Sequence, residues 1–230
     1  MTLLIGFVPL LWVSASYDDT RRSWWGMFGW ATLAFVLWNA LTIWWIWYAT
    51  PVGPPAATLA STTMNMIAFM LFHTVSKKAP KALAYVTLVT AWITTEYWYT
   101  VGDFSWPWLI LGNGFSHEVW AVQWYEYTGV FGGTLWVLLS NILIFEALQA
   151  SRSTRRWAAA ACSVALPMIA SLCIWQSWEQ PDEGTARVSV IQPNVDCYDK
   201  FHGDTQRQER NIADLMACLL YTSDAADDTP

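Results

Sequence analysis

The sequence predicts an all-α, polytopic membrane helix bundle followed by the first strand and helix of a truncated α/β domain. Three observations carry this prediction. Apolar residues make up 55% of the 230 positions and charged residues only 13%, a balance outside the soluble globular range and typical of a membrane protein. Up to Trp178, Lys and Arg recur only in alternate connections between apolar runs. After Trp178 the composition turns polar, and a period-two pattern replaces the long apolar runs.

A helix needs about 20 apolar residues to cross the hydrocarbon core, and the chain reads as one short segment and five full ones. Segment A, residues 1–16, is too short to span comfortably. With no basic stretch ahead of it and no cleavage-type spacing, a cleavable signal peptide is not evident, and the segment reads as a helix whose beginning is missing. Segments B to F follow at about 24–48, 56–75, 82–101, 127–148 and 157–178.

Charge sets the orientation. Arg21 and Arg22 follow A; Lys77, Lys78 and Lys81 separate C from D; Arg152, Arg155 and Arg156 separate E from F, whereas residues 49–55 and 102–126 hold neither Lys nor Arg. Cytoplasmic loops keep positive charge, so the A–B, C–D and E–F turns face the cytoplasm and everything after F faces outward. Met1 then lies outside, and an upstream inside-to-outside helix is expected. The same orientation gathers the aromatics on the outer side: Trp44, Trp45, Trp47 and Tyr48 end B, Tyr97, Trp98 and Tyr99 end D, and Trp175 and Trp178 end F. Trp106, Trp108, Trp120, Trp124, Tyr125 and Tyr127 fill the D–E connection. Two readings stand side by side: an interfacial belt, or a lipid-handling mouth whose rings pack acyl chains and hydrogen-bond headgroup oxygens.

The membrane bundle thus covers residues 1–178 and a polar, turn-prone linker residues 179–186. Residues 187–192 alternate as a strand does, and 204–217 read as an amphipathic helix with Ile212, Leu215 and Met216 on one face. One strand and one helix cannot bury a core, so the domain that starts over 187–217 is expected to continue in sequence beyond. Residues 218–230 differ in composition, interrupt the helical pattern and resemble the translation of a transposon-end sequencing adapter, so a non-native tail is expected there.

Few residues offer chemistry. Glu96 is the one carboxylate well inside a span, roughly 22 Å along D from Lys81 at the helical rise, near the outer interface. A membrane carboxylate is costly and so a functional candidate; a hydrogen-bonding role in the bundle and a substrate contact are both open. Residues 103–115 are too apolar for a free loop and too broken by Pro and Gly for a spanning helix, which predicts a re-entrant or interfacial segment and makes it a candidate pocket wall. His117-Glu118 begins like a zinc HExxH, but Ala121 occupies the second His position. His73 reads as interfacial, Glu126 as a headgroup contact or helix-start acid, and Gly129, Gly132 and Gly133 as a close-packing set. Cys162, Cys173, Cys197 and Cys218 lack metal-site spacing and read as small packing residues or, in Cys197-Tyr198-Asp199, as a thiol with no base beside it. Neither metal nor cofactor is implied, and no basic patch suggests nucleic acid.

Several stretches together resemble the apolipoprotein N-acyltransferase family. They are Gly6-Phe-Val-Pro-Leu-Leu, Thr95-Glu-Tyr leading to Trp106-Pro-Trp-Leu-Ile-Leu-Gly-Asn, the helix start Gln123-Trp-Tyr-Glu-Tyr-Thr-Gly-Val-Phe-Gly-Gly, and Val188-Ser-Val-Ile-Gln-Pro-Asn-Val-Asp with Lys200-Phe201. The resemblance implies a multi-pass protein of the bacterial inner membrane with a nitrilase-like domain in the periplasm. It also implies transfer of an acyl chain from a phospholipid, through a cysteine thioester, to the N-terminal cysteine amine of a diacylated lipoprotein. The family's Glu base, Lys and Cys nucleophile fall after the residues present here, so Lys200 and Cys197 are not their counterparts and the fragment is expected to be inactive. Glu96, Trp106, Trp108 and Phe201 become the substrate-contact candidates, Phe201 standing where many members carry Trp. The competing classes are a lipid or solute transporter, which should show paired repeats, and a lipid-linked glycosyltransferase, which should show acids in the first outward loop.

Overall fold

The computed structural model describes residues 1–102, 105–150, 153–179, 184, 190, 192 and 205–227, with side chains up to Cys218 in the last stretch. Every regular element among them is helical. The chain forms two compact units, residues 1–47 with 52–179 and residues 48–51 with 180–230. The expected strand at 187–192 lies, apart from Val190 and Gln192, outside the described residues, as do Cys197 and Phe201.

The first unit holds seven helices: α1 (Leu3–Gly6), α2 (Val8–Ser16), α3 (Arg21–Ile43, continued by a 3₁₀ turn at Trp44–Tyr48), α4 (Gly53–Lys78), α5 (Lys81–Val101), α6 (Tyr125–Gln149) and α7 (Thr154–Ser177). Among the described residues four helices are long and apolar enough to cross a membrane: Arg21–Tyr48, Gly53–Lys78, Tyr125–Gln149 and Thr154–Ser177. This corrects the expectation of five. Segment D is the helix α5, which at 21 residues is long enough, but Thr87, Thr90, Thr94, Thr95, Glu96 and Thr100 lower its apolarity. Much of that polarity is hidden, since Thr87, Thr90, Thr95 and Thr100 donate to carbonyls of α5 itself.

Successive helices run antiparallel. Trp24 Nε1 at the start of α3 donates to Thr74 Oγ1 near the end of α4 at 3.1 Å, and Tyr99 OH at the end of α5 donates to Ala60 O near the start of α4 at 3.1 Å. Lys81 and Arg156, opening α5 and α7, both pair with Glu146 near the end of α6. Basic residues therefore share one end of the bundle and aromatic residues the other. Between them lies a core built on rings: Trp92 is 1% exposed and meets Phe7 edge-on at 4.9 Å and Phe35 at 5.7 Å.

Segment A is a short helix, opened in the middle by another side chain. An unbroken helix would pair Phe7 N–H with Leu3 C=O. Here the buried Asn141 carboxamide of α6 inserts between them, its Oδ1 accepting from Phe7 N at 2.8 Å and its Nδ2 donating to Leu3 O at 2.7 Å. Both freed groups stay satisfied at depth, as an apolar setting requires. Helix α7 solves a similar problem: Pro167 has no N–H for Ser163 C=O, and the Trp136 indole donates to that carbonyl at 2.8 Å instead.

His73, read as interfacial, is buried at 1% exposure because Ser14 Oγ meets its Nδ1 at 2.8 Å inside the α2–α4 contact. Cys162 and Cys173, expected to pack, instead lie exposed on α7, whose apolar window is only 11% buried. In the second unit, α8 (Thr205–Asp227) carries Ile212, Leu215 and Met216 on one partly exposed face. It continues past Ala217, so the helix is not interrupted where the composition changes; the Leu and Ala residues there are good helix formers.

Candidate functional site at the aromatic end

Residues 105–124 form three short 3₁₀ turns, Pro107–Leu109, Leu111–Phe115 and Val119–Ala121, rather than a helix. Such backbone leaves many N–H and C=O groups unpaired, and at membrane depth it survives only where protein satisfies them. Glu96 does much of that. Its Oε1 accepts from Leu111 N at 2.8 Å and Trp92 Nε1 at 3.0 Å, and its Oε2 from Thr134 Oγ1 at 2.5 Å. Thr134 Oγ1 in turn accepts from Gly112 N at 3.3 Å, and Tyr125 OH donates to Gly112 O at 2.9 Å. One carboxylate thus fastens α5, the loop and α6 together.

Glycines let the loop come this close. A Cβ on Gly112 would stand 2.0 Å from Val130 O, and one on Gly133 would stand 2.8 Å from Gly112 Cα, so the two backbones meet with no room for a side chain. Gly129 has φ +64° and ψ −172° inside α6, a conformation glycine adopts freely and other residues do not. Its role is to break α6 beside the loop, whereas Gly133 supplies the close packing expected of the set.

The rim is aromatic. Trp106, half-buried, donates its backbone N–H to Tyr99 O at 2.9 Å and lies against Ile43, Ile46 and Ala57. Trp108 is 59% exposed, with the Trp45 ring 5.4 Å away, edge-on. A cavity of 670 Å³ opens at the loop beside Pro107, Trp108, Gly112, Phe115, Val122 and Tyr125. A second, of 580 Å³, runs between α3 and α4 beside Trp44, Trp47, Pro54 and Pro55. The arrangement suits an apolar chain with a polar head: aliphatic and ring surfaces to enclose the one, indole and backbone donors for the other. Among the described residues no group of His, Cys, Asp or Glu is placed to hold a metal.

Three of the sequence candidates come to the same end of the bundle. Trp106 and Trp108 sit on the loop, while Glu96, 5% exposed, lies behind it with its oxygens taken up by protein donors. Phe201 lies outside the described residues. Sequence reasoning missed Trp92 and Thr134, and it named Tyr125 only among the outer aromatics and Gly112 only within the loop. Trp92 was the findable one, since it stands one helical turn before Glu96; nothing in the sequence tied Thr134 or Tyr125 to that carboxylate.

Comparison with known proteins bears on this geometry. Residues 1–143 match the family model described as apolipoprotein N-acyltransferase N-terminal domain, a stretch that contains the whole of the Glu96 cluster. An apolipoprotein N-acyltransferase from Chlorobaculum tepidum is 28% identical over 212 residues, covering 86% of this chain and 38% of the relative. The chain therefore spans well under half the length of that relative. No solved structure matches the chain. The match across most of the membrane bundle shows that the chain belongs to the apolipoprotein N-acyltransferase family.

Proposed function

We propose that this chain forms the membrane portion of an enzyme that takes an acyl chain from a phospholipid and passes it, by way of a cysteine thioester, to the N-terminal cysteine amine of a diacylated lipoprotein. A thioester divides one difficult acyl transfer into two easier steps. In this reading the aromatic end faces the periplasm, the lipid approaches along the Trp44–Trp47 groove and the Trp108 rim, and the soluble domain begins after Glu179. The observation that supports the reading is the loop held by Glu96, which lines a largely apolar cavity in the part of the chain that matches the family's N-terminal domain.

The chemistry itself is assigned to a Glu base, a Lys that stabilises the oxyanion and a Cys nucleophile in sequence beyond these residues. The test begins by recovering the full reading frame, where Glu, Lys and Cys are expected in that order before one final membrane helix. The encoded protein, given phospholipid vesicles and a diacylated lipopeptide, is expected to yield the triacylated product. The 230-residue chain alone is expected to yield none. A full frame lacking those three residues, or a full-length protein that leaves the lipopeptide diacylated, would overturn the reading.

A further inference from the structure

The basic end holds a pocket that the acyl-transfer reading does not use. It has a volume of 250 Å³ between α2, the end of α4, the start of α5 and the end of α6. Leu11, Phe72 and Phe145 make its floor, and Lys77, Lys81 and Gln149 stand among its polar lining. Lys77 is fixed in place: its Nζ donates to Ser14 O at 2.8 Å and Tyr17 O at 2.7 Å, the last carbonyls of α2 and its cap. Those two bonds leave the ammonium one further N–H.

Cations outnumber carboxylates at this end, although each pocket lysine has a carboxylate near it. Glu146 is bound by Arg156 at 3.1 Å as well as by Lys81 at 3.1 Å and Tyr85 OH at 2.5 Å, so two cations share one carboxylate. Asp18 accepts from the hydroxyls of Thr20 and Ser23, and both Asp18 and Asp19 lie near enough to Lys77 to act on its charge. Across this end, Arg21, Arg22, Lys77, Lys78, Lys81, Arg155 and Arg156 face Asp18, Asp19 and Glu146 among the described residues.

We propose that this pocket binds the phosphate of an anionic phospholipid headgroup, with Lys77 and Lys81 as its cationic partners and the apolar floor receiving the start of an acyl chain. Basic pockets between membrane helices recognise anionic headgroups in this way. The apolar floor and the position at the ends of membrane-crossing helices favour a lipid over a free anion.

The test uses the 230-residue chain in neutral detergent, supplied with equal amounts of phosphatidylglycerol and phosphatidylcholine, with retained lipid counted by native mass spectrometry. Phosphatidylglycerol is expected to be retained about tenfold over phosphatidylcholine, and Lys81→Gln to lower its retention about fivefold, the scale of one headgroup-level cation. Lys78→Gln, which removes an equal charge outside the pocket, is expected to change little. Gln149→Leu provides a second variant that removes a lining group without touching an ion pair, and should also lower retention. Equal retention of the two lipids, or equal loss from Lys78→Gln and Lys81→Gln, would overturn the proposal. Competition by inorganic phosphate would support the phosphate contact, whereas inorganic phosphate binding as tightly as phosphatidylglycerol would overturn its assignment to a lipid.

Discussion

Each end of the bundle is fastened by one glutamate, and the two are satisfied in opposite ways. Glu146, at the basic end, is 17% exposed and held by cations, Lys81 and Arg156, with help from Tyr85. Glu96, at the aromatic end, is 5% exposed and held by neutral donors: an indole, a hydroxyl and a backbone N–H. Near water, Arg156 braces the short α6–α7 connection and Lys81 ties the start of α5 to the end of α6 across 65 residues. Neutral, directional bonds do something different, fixing an irregular loop whose own backbone cannot hold it in place. Glu96 thereby fixes the loop that forms part of the cavity wall.

The sharpest way to break this comparison is to remove each carboxylate. Glu96→Leu strands the Leu111 N–H and the Trp92 and Thr134 donors in a buried setting. A loss of about 3 kcal/mol is expected from several unsatisfied groups, against less than about 1 kcal/mol for Glu146→Leu, whose partners can turn to water. Denaturant titration of the chain in detergent, followed by tryptophan fluorescence, reads both. Equal losses at the two sites would mean that the loop does not depend on Glu96. Glu96→Gln keeps an acceptor for Leu111 and Trp92 and should recover most of the difference.

Gly112→Ala asks whether the aromatic end is also held by fit. The added Cβ would stand 2.0 Å from Val130 O, a backbone atom that cannot swing aside. Overpacking of this kind costs typically about 1–3 kcal/mol, and the same unfolding titration should report a loss of about 2 kcal/mol. Gly29→Ala is the matched control, since nothing lies within 4 Å of its Cβ position. A silent Gly112→Ala would show that the loop can lift away from α6, leaving hydrogen bonds alone to define the cavity.

How much of this was legible in the sequence follows from range. The alternation of basic and aromatic connections is a local pattern, so it marked which helix ends lie together. The broken, apolar stretch around Trp106-Pro107-Trp108 was enough to predict irregular backbone in place of a helix, because Pro and Gly act on their own backbone. Glu96 stood out by its burial cost. What pairs with it was not legible: Thr134 lies 38 residues away, and one threonine in an apolar helix looks like any other. The Asn141 insertion into segment A, across 134 residues, was hidden for the same reason. α5 was counted as a span from its length and its apolar run, but its threonines and Glu96 lower its hydropathy below that of the four spanning helices.

Ionic strength distinguishes the two ends more gently. At about 1 M salt the screening length falls to about 3 Å, so the cost of Glu146→Gln, expected at about 0.5 kcal/mol in dilute buffer, should largely vanish. The cost of Glu96→Gln should stay constant, because the groups that bond it, Leu111 N–H, the Trp92 indole and the Thr134 hydroxyl, are neutral and burial shields it from solvent ions. Measuring both variants across a salt series checks the contrast, and a salt-dependent Glu96→Gln would point to a charged partner.

The smallest effect expected is at the entrance to α3, on the basic end and outside the spans. Thr20 caps that helix, its Oγ1 accepting from Ser23 N at 3.2 Å, and Asp18 accepts from the hydroxyls of both Thr20 and Ser23. The Ser23 hydroxyl first, then that of Thr20, holds the Asp18 carboxyl below its ordinary value of 3.8. A carboxyl with a depressed folded-state pKa stabilises the fold above its unfolded value, and the contribution is lost as pH falls through the folded one. Asp18 therefore adds a small downward slope to stability only below about pH 4, and solvent exposure keeps it slight. Comparing the unfolding midpoint of the chain with that of Asp18→Asn between neutral pH and pH 3 isolates the slope. Parallel curves throughout would show that this cap, unlike the carboxylate behind the loop, leaves the fold indifferent to the charge it carries.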